Sequence, residues 1–145
     1  MNIQRVFGKA LVDLEERGWS HLYVILDLHG TVIEPTWRKD GAIKFYPDTL
    51  EALKMLSDDR RFNLIIWTSA YADDIQKVVD ELEKHGVRID QINGNSLEKS
   101  TELQDFSRKF YFNIGIDDRF GFEPETDWRK VIDFLKAHPD NNLEK

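Results

Sequence analysis

The sequence predicts an α/β fold, a three-layer, doubly wound parallel sheet with helices packed on it. Three nearly continuous apolar runs of strand length occupy residues 22–28, 62–67 and 110–116. Such runs are typical of parallel strands that are buried on both faces. Segments with apolar residues at helical spacing alternate with these runs, and this alternation predicts parallel strands joined by right-handed crossovers.

The remaining elements follow in order along the chain. Apolar residues at helical spacing from Ile3 to Leu14 predict a first helix that precedes the first strand, so it is an addition to the minimal fold. Further helices are predicted after Pro47, after the second strand and at the end of the chain, and a short strand is predicted near residues 89–92. We therefore predict one domain over residues 1–145, with residues 1–20 as an N-terminal helical extension.

Composition excludes several classes of protein. The chain has 145 residues, no cysteine and a net charge of -7. It is long enough for one buried core, and it cannot use disulfide or thiol chemistry, which is compatible with the cytoplasmic location that we expect. With no apolar h-region near Met1 and no apolar run of about 18 residues, neither a signal peptide nor a membrane span is expected. The negative charge opposes broad binding to nucleic acid but permits a phosphorylated end held by a metal.

Acids and a hydroxyl follow the predicted strands. Asp27 ends the first strand, Thr68 follows the second, and Asp117 and Asp118 follow the last. Open parallel sheets bind ligands beyond the carboxyl ends of their strands, so these side chains are expected in one crevice. Because clustered carboxylates repel one another, a cation is expected among them, and Mg²⁺ prefers oxygen ligands. Asp27 could be both a metal ligand and a nucleophile that forms an aspartyl-phosphate.

The ordered set of motifs resembles the haloacid dehalogenase (HAD) superfamily. Residues 27–31, Asp-Leu-His-Gly-Thr, resemble its first motif, Asp-x-Asp-Gly-Thr; Thr68 matches the second motif, and Asp117 with Asp118 matches the acidic fourth. Residues 106–109, 116–119 and 127–128 more narrowly resemble small bacterial and phage HAD-like hydrolases. The resemblance covers roughly residues 22–135 and implies a Rossmann-like domain.

The resemblance also implies an activity, that of a Mg²⁺-dependent phosphate-ester hydrolase. In that mechanism Asp27 attacks phosphorus, while Thr68 and a lysine hold the phosphate. Mg²⁺ is held by Asp117, Asp118, the Asp27 carboxylate and the backbone carbonyl of His29. The implied partner is a phosphorylated small molecule or a macromolecular phosphate end.

His29 departs from the family pattern, which has a second Asp as general acid–base at this position. Loss of such a group typically costs about 10²–10⁴-fold in rate. A histidine, with an unperturbed pKa of about 6.5, could replace it. Alternatively His29 is an ordinary turn residue, and the chain is a weak or inactive binding or regulatory module that retains the metal. A phosphotransferase is a third, less favoured class.

Two lysines compete for the phosphate-holding position. Lys109 matches the subgroup pattern, but it precedes Asp117 by eight residues, or roughly 25 Å of extended chain. Lys99 follows a predicted turn at residues 93–95, which should lie beyond the carboxyl end of a strand. Geometry therefore favours Lys99, which we predict, while motif matching favours Lys109.

The short connection after Thr31 resembles the capless type of HAD enzyme, because only about fifteen residues precede the next helix. An open crevice suits a macromolecular phosphate, or a substrate enclosed by another subunit of a homo-oligomer. Trp37, Phe45 and Tyr46 could form a small lid or a base-stacking surface, although packing of a long loop onto the core is the favoured interpretation.

Overall fold

The structure is a computed structural model that describes residues 1–36 and 41–141. Within these ranges four helices and four strands follow the predicted order, with no helix between the last two strands, and a short 3₁₀ turn at Asp118–Phe120 follows the last strand. The elements are α1 (Ile3–Arg17), β1 (Leu22–Leu26), α2 (Thr49–Asp58), β2 (Phe62–Ile66), α3 (Ala72–Lys84), β3 (Gln91–Ile92), β4 (Ile114–Ile116) and α4 (Asp127–Ala137). Within the described ranges, no helix is both long and apolar enough to cross a membrane.

The strands form one parallel sheet in the order β3-β2-β1-β4. Leu26, the last residue of β1, pairs with Ile66 on one side and Ile116 on the other. β1 therefore lies between β2 and β4. The residues just after β1 lie between those just after β2 and those just after β4. This arrangement confirms the predicted Rossmann-like, three-layer α/β fold.

The two faces of the sheet are covered differently. Alternate residues of a strand point to opposite faces, and Val24 and Leu26 pack into the main core, to which all four helices contribute buried side chains. Tyr23 and Ile25 point to the second face, which is covered by aromatic residues of the connection between β3 and β4, namely Phe110, Tyr111 and Phe112. The outer layer on this face is therefore an irregular segment.

The predicted N-terminal helix is present as α1. The Asn2 side chain caps its start by accepting a hydrogen bond from the Arg5 N–H, and Gly18 ends it in the left-handed conformation that glycine favours. Its buried face includes Ile3 and Phe7, and the helix packs against α4. The extension is thus part of the main core.

The last strand is shorter than the predicted 110–116. The Asn113 side-chain oxygen accepts the Tyr23 N–H, where a backbone carbonyl would accept it in a continued ladder. Pairing therefore starts only at Ile114, and the preceding residues cross the second face instead. Phe45 and Tyr46 pack against the main core, as favoured from the sequence, whereas Trp37 lies outside the described residues.

Candidate functional site

Three strands end at the same level, and the candidate site lies just beyond them. The Asp27 N–H donates to the Ile116 carbonyl at 3.0 Å, and the Trp67 N–H donates to the Leu26 carbonyl at 2.9 Å. Parallel register therefore aligns Asp27, Trp67 and Asp117, each one residue past its strand. This is the edge at which open parallel sheets bind ligands.

The structure brings the three predicted acids together. One carboxylate oxygen from each of Asp27, Asp117 and Asp118 lies within 4.8 Å of the other two. Asp117 is buried, Asp27 is half-buried and Asp118 is exposed, so the cluster opens to solvent on one side. Three convergent carboxylates at an open edge form an all-oxygen donor set of the kind that holds Mg²⁺.

Thr31 connects the acids and is fully buried. Its hydroxyl donates to Asp27 Oδ2 at 3.0 Å and Asp118 Oδ1 at 3.2 Å, and it accepts the Asp118 N–H at 2.9 Å. The indole N–H of Trp128 fixes the Thr31 carbonyl at 2.9 Å. Thr31 was not among the predicted site residues. Its position at the end of the first motif could have indicated that it belongs to the site.

Gly30 allows the acids to approach the turn after β1. Its φ of +87° is one that side chains disfavour, and a Cβ added there would lie 3.1 Å from Asp118 Oδ2. A larger residue at this position would therefore both strain the backbone and displace the Asp118 carboxylate.

Like charge and burial make the metal-free cluster unfavourable. Burial, and then the charge of Asp117, raise the pKa of Asp27 to about 6, against a smaller lowering by the Thr31 hydroxyl. Burial also raises the pKa of Asp117, while the Arg119 N–H, donating to Asp117 Oδ1 at 2.9 Å, lowers it. A divalent cation would remove the repulsion, so the donors fit Mg²⁺ in number, type and charge.

His29 lies beside the acids in sequence, with its side chain exposed. The side chain lines a cavity of about 280 Å³ together with residues that include Asp74 and Lys77 of α3. The hydrogen bonds of the turn use the carbonyls of Leu28 and Ile33, and no backbone N–H of the described residues donates to the His29 carbonyl. That oxygen therefore keeps its lone pairs for another partner, as the predicted metal role requires.

Thr68 lies one residue past Trp67, at the same edge. Its N–H donates to Asn93 Oδ1 at 2.8 Å, and its hydroxyl oxygen accepts the Ala70 N–H at 3.2 Å. These bonds fix the residue and leave its hydroxyl hydrogen for an acceptor such as a phosphate oxygen.

The candidate lysines, Lys99 and Lys109, both lie exposed in the irregular connection between β3 and β4. The residue before Lys99, Glu98, accepts a hydrogen bond from the Tyr23 hydroxyl at 2.9 Å. Tyr23 precedes Asp27 by four residues, or about 13 Å along a strand. The structure thus holds the neighbour of Lys99 towards the amino end of β1, and the choice between the two lysines stays a prediction.

Comparisons with known proteins support the fold. No family model matches the chain, and no curated protein matches it. A solved structure of a conserved protein from Bacteroides thetaiotaomicron is similar, with a TM-score of 0.60 and 25% sequence identity. The similarity covers 83% of this chain and 93% of that one.

Proposed function

We propose that this chain is a Mg²⁺-dependent phosphate-ester hydrolase of the HAD type with Asp27 as its nucleophile. The observation that carries the proposal is the convergence of three carboxylates within 4.8 Å at the carboxyl edge of a parallel sheet. Structural acids at strand ends normally cap turns singly, whereas two of these three, Asp27 and Asp118, share one buried hydroxyl, that of Thr31. The proposed substrate is a phosphorylated small molecule or a macromolecular phosphate end, and the proposed location is the cytoplasm.

The metal would be held by the carboxylates of Asp27, Asp117 and Asp118 and by the His29 carbonyl. When bound, Mg²⁺ supplies the positive charge that offsets the clustered carboxylates and attracts a phosphate. Thr31 orients two of the three carboxylates through its hydroxyl. Its role is therefore positioning, because it acts on substrate only through the acids.

The proposed reaction has two steps. A carboxylate oxygen of Asp27 attacks phosphorus, the bond to the ester oxygen breaks, and His29 gives the leaving oxygen a proton. Water then attacks the phosphorus of the aspartyl-phosphate, His29 takes its proton, and phosphate leaves with Asp27 regenerated. Thr68 and one of the two lysines would hold the phosphate oxygens during both steps.

A binding or regulatory module is the second candidate, and His29 favours it. The imidazole is exposed, and no side-chain hydrogen bond from the described residues orients it. An unoriented group is a poor replacement for a fixed acid–base, because proton transfer requires hydrogen-bond reach. In this alternative the acids bind Mg²⁺ and turnover is negligible.

A phosphate-release screen with Mg²⁺ separates the two candidates. Sugar phosphates, nucleotides and phosphorylated nucleic-acid ends are offered to the wild type, to Asp27→Asn and to Asp133→Asn, an exposed control on α4. The hydrolase predicts turnover that Asp27→Asn abolishes and Asp133→Asn retains. Calorimetry with Mg²⁺ completes the test. Absence of turnover on every class, with Mg²⁺ binding intact, selects the module; absence of Mg²⁺ binding rejects both.

A further inference from the structure

Two exposed aromatic side chains flank the acids. Trp67 follows β2 and directly precedes Thr68, and Phe120 lies two residues after Asp118. Their ring centroids are 5.9 Å apart with the planes inclined by 35°, and the residues are 39% and 47% exposed. Each aromatic therefore lies within two residues of one that is proposed to hold phosphate or metal.

The pair lies on the same face of the sheet as the nucleophile. Register makes Trp67 level with Asp27, and alternation along the strands directs both towards the face that carries Ile25. The Phe120 ring covers Gly115 of β4, where an added Cβ would lie 3.2 Å from ring atoms and 3.6 Å from Ile25 Cδ1. The two rings thus approach each other across β1, from the strands on either side of it.

This placement is unusual for large apolar side chains. Most of the aromatic residues on this face are packed, as are Phe110, Tyr111 and Phe112. A contiguous exposed aromatic surface beside a polar site is typical of a ligand subsite, because water contact with flat rings is unfavourable. A flat ring of the ligand can stack on such a surface, as bases do on exposed aromatic side chains.

We infer that Trp67 and Phe120 stack the base of a nucleoside monophosphate whose phosphate binds beside the acid cluster, where Mg²⁺ would link it to the carboxylates. The inference rests on the proposed function, since it names the substrate class of that site. A nucleotide matches an aromatic pair that lies beside a proposed metal site, because its flat base and its anionic phosphate are joined through one sugar. The net charge of -7 opposes a long polyanion, so a mononucleotide is favoured over a nucleic-acid chain.

Calorimetry with Mg²⁺ tests the stacking directly. AMP and ribose 5-phosphate, which lacks the base, are titrated into the wild type, Trp67→Leu, Phe120→Leu and the control Tyr71→Leu, whose tyrosine is 80% exposed at the start of α3. We expect AMP to bind the wild type about 10-fold or more tightly than ribose 5-phosphate. Each pair variant should lose most of that preference, and Tyr71→Leu should keep it.

A second variant tests the geometry without removing a ring. Gly115→Ala places a methyl group against the Phe120 ring and should reduce the preference for AMP while circular dichroism confirms the fold. Equal affinities of the wild type for the two ligands, or an AMP affinity unchanged by Trp67→Leu and Phe120→Leu, would overturn the inference. So would a homodimer, detected by sedimentation, that Trp67→Leu and Phe120→Leu both dissociate.

The result also separates this inference from the proposed hydrolase. Phosphate release from sugar phosphates without any preference for AMP rejects base stacking and keeps the hydrolase. Base-dependent AMP binding that needs both rings, without phosphate release from any substrate, supports the stacking subsite and rejects the hydrolase.

Discussion

The two ends of β1 carry polar networks of opposite character. Near the amino end, the Tyr23 hydroxyl donates to Glu98 Oε1 at 2.9 Å. His21 Nε2 lies 2.7 Å from that hydroxyl, and His21 Nδ1 lies 2.9 Å from Ser20 Oγ. Because the tyrosine hydrogen points to Glu98, His21 Nε2 must donate to the tyrosine oxygen. Every donor in this chain of bonds therefore has an acceptor.

At the carboxyl end, acceptors outnumber donors. Asp27 and Asp118 share one hydroxyl hydrogen from Thr31, and Asp117 lies within the same 4.8 Å cluster. Burial is the largest cause of a raised pKa for both Tyr23 and Asp27, but the outcomes differ. The phenol stays neutral and paired, whereas a carboxyl with a pKa of about 6 is ionised at neutral pH. One end of the strand stabilises the fold, and the other stores repulsion that a bound cation would relieve.

The largest expected effect at the carboxyl end comes from His29. If it is the acid–base, His29→Ala should lower turnover of an alkyl phosphate about 10²-fold, and His29→Asp should raise it above wild type. An aryl phosphate should be affected less, because its leaving group needs little protonation. Steady-state rates as a function of pH check this, since a working histidine adds a pH dependence that His29→Ala removes. Equal rates for wild type and His29→Ala on the alkyl phosphate at every pH would exclude an acid–base role for the His29 side chain. Only the proposed metal contact of its backbone carbonyl would remain.

Thr31→Val should weaken Mg²⁺ binding by about 10–100-fold, because the two carboxylates lose the hydroxyl that orients them. Thr49→Val is the matched control, since Thr49 is also fully buried but its hydroxyl has no partner among the described residues. Isothermal titration calorimetry measures both. Equal losses in the two variants would show that Thr31 contributes to packing alone.

Tyr23→Phe, at the amino end of β1, should lower stability and leave Mg²⁺ binding unchanged. It leaves Glu98 and His21 without their shared partner, so the free energy of unfolding should fall by about 1–3 kcal/mol while Mg²⁺ affinity stays unchanged. Tyr71→Phe, at an exposed position, should change neither quantity. Urea unfolding and calorimetry test the pair. A drop in Mg²⁺ affinity for Tyr23→Phe would mean that the two ends of β1 are coupled.

The smallest expected effect is the pH dependence of the stability of the metal-free protein. The pKa of Asp27 is raised from 3.8 to about 6 on folding, so the native state binds more protons than the unfolded chain in that window. Stability should therefore decrease as pH rises from about 4 to 6, by on the order of 1 kcal/mol after solvent screening. Asp27→Asn should remove this contribution, and Mg²⁺ should reverse it. Urea unfolding in EDTA and in Mg²⁺ measures both, and a wild-type curve that is flat in EDTA would contradict the stored repulsion.

The sequence predicted the parts of the molecule that depend on local pattern. Continuous apolar runs identified three of the four strands, and because parallel strands share a carboxyl edge, Asp27, Asp117 and Asp118 could be expected to meet there. The residues beyond those runs were harder to place. Asn113 ends the β4 ladder with a side-chain bond, and no hydrophobic pattern reports such a bond.

The supporting residues of the site depended on contacts that are remote in sequence. Thr31 reaches Asp118 across 87 positions, so its role is visible only when β4 lies beside β1. The sequence offered Trp37, Phe45 and Tyr46 as a lid or base-stacking surface but favoured core packing, and Phe45 and Tyr46 do pack on the main core. The exposed aromatic pair instead comes from the segments that follow β2 and β4, Trp67 directly after β2 and Phe120 in the 3₁₀ turn after β4.

The irregular layer over the second face of the sheet should unfold locally before the rest of the molecule. Residues 93–113 are held largely by side chains: Gln91 Oε1 accepts the Ser96 N–H, Asn95 Nδ2 donates to the Tyr111 carbonyl, and Ser100 Oγ accepts the Phe106 N–H. Such a segment can detach as a cooperative unit while the helical core remains folded. Its amides should exchange with deuterium at a lower opening free energy than those of β1, and a protease should cut there first. This local unfolding would break the hydrogen bond between Tyr23 and Glu98 but keep those of Thr31. The polar network at the amino end of β1 would then be lost temporarily while the acid cluster stays in place.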